Sequence, residues 1–164
     1  MTVPAPRSGR VVILGVAASD SHAVANQLIA HALRTAGFTV VNLGTCTPVA
    51  EFAEACARYP QPLAVVIGSL NGQIHADLHD LAEAKRTGRI PCPVIVGGNL
   101  SVGSTKDASA ITGLHDLGVD RVLGSVAELV PALDGLAAES AGVPVTRPAT
   151  GPGAGPAAVR TPAR

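Results

Sequence analysis

Residues 11–33 read VVILGVAASDSHAVANQLIAHAL, and this stretch decides the fold. Its Val/Ile/Leu run has the composition of a strand buried on both faces. The run breaks at Ser19-Asp20-Ser21-His22, and an Ala/Leu-rich helical pattern follows at once. Strand, short polar loop and helix in that order are the first half of a parallel crossover unit. The sequence predicts a strand over residues 10–17 and a helix over 22–37, with Val24, Leu28 and Ala32 forming its apolar face at i, i+4, i+8 and Gly37 at the C-cap.

The same alternation continues to residue 140. Strands are predicted over residues 38–44 (FTVVNLG), 63–69 (LAVVIGS), 92–98 (CPVIVGG) and 120–124 (DRVLG). Helices are predicted over about 48–58, with Pro48 in the first turn, and over 74–88, 108–118 and 125–140. Strict alternation argues for an α/β fold, a doubly wound sheet of five parallel strands with right-handed crossovers and helices on both faces. The expected organisation is a short extension over residues 1–9, one domain over 10–140, and a disordered Pro/Gly/Ala-rich tail over 141–164.

Composition narrows the function. Twelve basic residues balance twelve acidic ones, so no nucleic-acid or anionic-membrane partner is expected. Hydrophobic residues make up 47% of the chain and aromatic ones 2%, so the core must be Val, Ile, Leu and Ala. Cys46, Cys56 and Cys92 show no C-x-x-C spacing and read as free thiols of a cytoplasmic protein. No apolar run approaches the roughly 20 residues that span a bilayer.

In an open parallel sheet, ligands bind beyond the carboxyl ends of the strands, where the strand order reverses. Three loops fall there, containing Asp20 and His22, then Gly68 and Gly72, then Gly97 and Gly98. Glycines let a flat or extended ligand approach the backbone. Neither G-x-G-x-x-G nor G-x-x-x-x-G-K-[ST] is present, which argues against dinucleotide and nucleoside triphosphate chemistry. A histidine whose far ring nitrogen is held by a carboxylate makes a good transition-metal ligand. One histidine is too few for a zinc site, but suits a metal already held in a macrocycle. The alternative is that Asp20 or Ser21 caps the helix and His22 is exposed in its first turn. His75 and His79, at i, i+4 beside Asp77 and Asp80, read as a solvated face rather than a chelate. His31 and His115 are assigned no role.

Asp20-x-His22-x-x-Ala25, Gly68-Ser69-Leu70 and Gly97-Gly98 resemble the D-x-H-x-x-G, S-x-L and G-G signature of cobalamin-binding domains. Over roughly residues 10–137 the chain is similar to the small cobalamin-binding subunits of glutamate (methylaspartate) mutases. The resemblance implies a flavodoxin-like fold and adenosylcobalamin as cofactor. His22 would be the lower axial cobalt ligand in place of the cofactor's own base, with Asp20 hydrogen-bonded behind it. The displaced nucleotide tail would pass between the first helix and the sheet. The implied cofactor-binding set is Asp20, Ser21, His22, Ala25, Gly68, Ser69, Leu70, Gly72, Gln73, Gly97, Gly98 and Asn99. Gln73 would face a separate large barrel subunit that binds glutamate, and no catalytic residue is expected in this chain.

Two positions depart from the signature. Ala25 stands where the family has glycine, and Gly68 where it has serine. Losing that hydroxyl would cost about 1 kcal/mol of cofactor binding if nothing replaces it. Two other readings remain at this point. One is a corrinoid carrier for methyl transfer, against which stands the short stretch before the first strand. The other is a degenerate module that kept the fold and lost the cofactor.

Overall fold

Each short Val/Ile-rich run becomes a strand: β1 (Val11–Val16), β2 (Thr39–Asn42), β3 (Ala64–Ser69), β4 (Val94–Gly98) and β5 (Arg121–Leu123). They pair in parallel in the order β2-β1-β3-β4-β5, the five-stranded α/β sheet expected from the alternation. The chain order reverses between β1 and β3, which places the switch point beside the Asp20–His22 loop. The structure is a computed structural model that describes residues 6–99 and 108–142.

Among the described residues, α1 (Ala23–Thr35), α2 (Val49–Arg58), α3 (Ile74–Asp77), α4 (Leu81–Arg86) and α5 (Ala108–Asp116) lie between strands, and α6 (Leu129–Ala141) follows β5. Alternate strand residues feed two cores, as the period of two requires. Ile13, Val65, Ile67, Val94 and Val96 pack with residues of α2, α4 and α5. Val12, Leu14, Val66 and Ile95 pack with residues of α1 and α6 on the other face. Among the described residues no helix is long and apolar enough to cross a membrane.

Three expectations need correction. The first helix buries Asn26, Ala30 and Leu33, while Val24 and Leu28 are 76% and 66% exposed and Ala32 is exposed too. At about 100° per residue the expected face is the opposite side of the helix. Apolar residues occur all round this helix, so periodicity does not choose between its sides. The sheet does, taking Ala30 and Leu33 into the core with Phe38 and Leu136.

The helix expected over residues 74–88 breaks into α3 and α4, with Leu78 and Asp80 at φ near −100° and ψ near 0°. The break lets Ile74, Leu78 and Leu81 all reach the core. The last helix opens with a 3-10 turn, Val126–Glu128, and α6 proper starts at Leu129. Ser125 Oγ there donates to Glu128 Oε1.

Gly37 follows the C-cap residue Ala36 of α1 with a φ of +100°, the left-handed turn that ends helices. Arg7, in the short stretch before β1, packs against the domain. It forks onto Asp134 of α6 at 2.8 and 2.6 Å and donates to the Ala36 carbonyl. Of the tail expected over 141–164, Ala141 belongs to α6, and residues 143–164 lie outside the described residues.

Candidate cofactor site

The loop after β1 is built around one carboxylate. Asp20 is 1% exposed and accepts four donors. Oδ1 takes the His22 backbone N–H at 2.9 Å and lies 2.5 Å from His22 Nδ1. Oδ2 takes the backbone N–H groups of Leu70 at 2.5 Å and Asn71 at 3.2 Å. Two loops fifty residues apart in sequence are thereby tied at the switch point. Burial pushes the Asp20 carboxyl up, but donation from Leu70 and from the backbone and ring of His22 outweighs it and holds the group below its ordinary range.

An ionised carboxylate only accepts, so the hydrogen of neutral His22 sits on Nδ1 and the lone pair on Nε2. The His22 side chain is 57% exposed, leaving Nε2 open to a ligand. The helix-capping reading is not what forms. His22 itself occupies the N-cap of α1 without a side-chain cap bond, and Ser21 is exposed.

His22 stands at the wall of a cavity of about 250 Å3 between α1, the carboxyl ends of the strands and the start of α6. One cross-strand row, Val16–Gly68–Gly97–Leu123, forms part of its floor. The two glycines lie side by side in register and make a notch. A Cβ at Gly68 would meet only the Gly15 carbonyl oxygen at 4.0 Å, and one at Gly97 only Leu123, the nearest atom at 3.9 Å. Absent bulk, rather than backbone strain, is what they contribute. Gly98 differs: its φ is +118°, and a Cβ would collide with the Ser69 carbonyl oxygen.

Of the sequence-predicted residues, His22, Ala25, Gly68, Ser69, Leu70, Gly97 and Gly98 line this cavity. Asp20 stands behind His22, while Ser21, Gly72, Gln73 and Asn99 are not in the wall. Gln73 is the N-cap residue before α3, with its N–H on Asn71 Oδ1, and Asn99 is exposed past the end of β4. Ser69 is fully buried and lies on the strand face opposite Gly68, with Oγ 3.3 Å from Asn71 Oδ1.

The rings of His75 and His79 are engaged by backbone groups. Their nitrogens lie 2.9 and 2.8 Å from the carbonyls of Ala110 and Ala76. Among the described residues no group of three or more His, Cys, Asp or Glu could hold a metal ion.

Sequence reasoning missed Asn26, Asn42 and Asn71. Asn71 Nδ2 reaches the carbonyl and hydroxyl oxygens of Ser19, bracing the same pair of loops. Asn26 lines the cavity and is 2% exposed, and Asn42 Nδ2 donates to its Oδ1 at 2.7 Å. The one available signal was an Asn inside a helix, a type that favours helix ends over interiors.

A switch-point cavity in a 2-1-3-4-5 sheet, entered beside a carboxylate-held histidine, defines a class: small α/β domains with a ligand pocket at the carboxyl edge of a parallel sheet. The family model of the B12 binding domain matches residues 10–134. The chain is 41% identical over 111 residues to the glutamate mutase sigma subunit of Halobacterium salinarum, covering 68% of this chain and 74% of that one. It is 35% identical to the glutamate mutase sigma subunit of Clostridium cochlearium, covering 69% and 82%. The chain belongs to the glutamate mutase sigma subunit family of B12-binding domains.

Among solved structures, a cobalamin-binding protein from Desulfitobacterium hafniense superposes with a TM-score of 0.64 at 17% identity, over 79% of this chain and 60% of that one. The methanol:cobalamin methyltransferase complex of Methanosarcina barkeri superposes with a TM-score of 0.51 at 22% identity, over 79% and 53%. At these identities the likeness is of fold.

The residues present fit a cobalamin. The imidazole is oriented and open at Nε2, the glycine notch leaves the cavity floor clear, and the buried Asn26 Nδ2 has no hydrogen-bond partner among the described residues.

Proposed function

We propose that this chain is the cobalamin-carrying subunit of a glutamate mutase, inactive alone and working in the cytoplasm with a separate large, barrel-type catalytic subunit. The observation that carries the reading is the Asp20-held imidazole at a cavity between α1 and the sheet. His22 Nε2 would ligate the cobalt. Asp20 positions that ring, fixes its tautomer and raises its basicity. Gly68, Gly97 and Gly98 would leave room for the nucleotide tail, Ser69 and Leu70 would line its path, and Leu14, Val66 and Ile95 would keep water from it.

Bound there, adenosylcobalamin supplies the radical chemistry that interconverts glutamate and 3-methylaspartate, while the protein supplies ligation, orientation and enclosure. The exposed Val24 and Leu28 follow His22 on α1, and give this end an apolar surface that a catalytic subunit would cover.

The test is an absorption titration of the purified chain with adenosylcobalamin beside a His22→Ala control. A shift to the base-off, histidine-ligated spectrum in the wild type alone is the expected result. No shift in the wild type at saturating cofactor, with or without a large subunit, would overturn the reading.

A further inference from the structure

The Asn26 amide carries more information than its burial alone. The orientation of an amide is settled by its partners, and here the chain of partners ends on a group that only donates. The Gly44 backbone N–H donates to Asn42 Oδ1 at 3.0 Å. Asn42 therefore presents Nδ2 to Asn26, and Asn26 must answer with Oδ1, at 2.7 Å. Nδ2 of Asn26 is the group left over, buried and without a hydrogen-bond partner among the described residues. Asn26 lines the cavity, whose wall also includes the apolar Leu14, Ile29, Val66 and Ile95. A buried donor without a partner is costly, so this site is incomplete until a ligand brings an acceptor to it.

We infer that Asn26 is the tail-selecting residue of the cavity: its Nδ2 donates to a hydrogen-bond acceptor on the nucleotide tail of the cofactor, and Asn42 holds it in the donating orientation. The inference rests on the cobalamin reading above and adds a polar contact to it. Once the lower base is displaced from cobalt its ring nitrogen is a free acceptor, and the ribose and phosphate carry others. A corrinoid without the tail offers nothing that reaches the amide.

The test is a pair of absorption titrations on the full chain, one with cobalamin and one with cobinamide, which lacks the nucleotide tail. Asn26→Leu removes the donor. Asn42→Asp acts from outside the cavity. The new carboxylate still accepts from Gly44 and offers its second oxygen to Asn26. The Asn26 amide must then turn round and face the cavity with Oδ1.

Both variants are expected to weaken cobalamin by about tenfold or more, the effect of an acceptor buried without its donor, and to leave cobinamide binding unchanged. Unchanged cobalamin affinity in both variants would overturn the inference. So would an equal loss for both corrinoids, which would make the asparagine pair a structural tie between α1 and β2. A wild type that binds neither corrinoid would overturn the cobalamin reading itself, an outcome distinct from the other two.

Discussion

Asp20→Asn changes one atom and tests the switch-point loop at two levels. The carboxylate accepts on both oxygens: two backbone N–H groups on Oδ2, and one backbone N–H with the His22 ring on Oδ1. A carboxamide must turn its NH2 toward one of these sides. Facing Leu70 and Asn71 it strands two donors that cannot reverse. Facing His22 it strands one backbone donor, and the ring can adapt by accepting at Nδ1. The second arrangement is cheaper. One stranded donor at about 1–3 kcal/mol, together with loss of the charge-assisted bonds, gives a cost of about 2 kcal/mol. With a urea slope of about 1–3 kcal/mol/M, the unfolding midpoint should fall by about 0.7–2 M at pH 7.

The adaptation carries a chemical penalty. An imidazole accepting at Nδ1 carries its hydrogen on Nε2, where no lone pair remains for cobalt, so the variant should also lose the histidine-ligated spectrum. The pH dependence has a definite sign. Because its donors hold the folded carboxyl below the ordinary range, its stabilisation is complete above the unfolded value of about 3.9. It is lost as pH falls through the lower folded value, and the gap between wild type and variant should close over that window. A gap below about 0.5 kcal/mol at pH 7, or one that persists unchanged into strong acid, would refute the reasoning.

Three further outcomes follow from the geometry. Gly68→Ser places its side chain over the open floor, where a Cβ meets nothing nearer than 4.0 Å. The variant should fold normally and bind cobalamin about fivefold tighter, from about 1 kcal/mol of added hydrogen bonding, as read by titration. Gly98→Ala should lose about 2–3 kcal/mol by urea unfolding, because the backbone at φ +118° is strained for alanine and the obstructing Ser69 carbonyl belongs to a neighbouring strand. Leu33→Ala should cost about 2–5 kcal/mol and Leu28→Ala less than about 0.5 kcal/mol, which checks by calorimetry the side of α1 that faces the sheet.

Local chemistry made much of the protein legible. Strand composition, crossover alternation and glycine placement are near-neighbour properties, and the sheet, its five strands and its ligand edge formed where they were expected. The Asp20–His22 contact is likewise local, since the two residues stand two apart and the loop brings one onto the other. The role of Gly68 and Gly97 was harder to read. Each is only a glycine in sequence, and the notch appears when β3 and β4 pair in one register.

Strand-forming runs, the parallel α/β class and the aspartate–histidine pair are thus written in short stretches of chain, because each depends on residues a few positions apart. Which side of α1 meets the sheet is not, since both of its sides carry apolar residues and only docking ranks them. The same holds for the second anchor of Asp20 at Leu70, fifty positions away, and for the Gly44–Asn42–Asn26 relay that leaves one amide donor in the cavity wall. Those features exist only where segments distant in sequence are packed together. The hydrogen-bond partner of a buried polar group is then a matter of which neighbour the tertiary fold brings within about 3 Å.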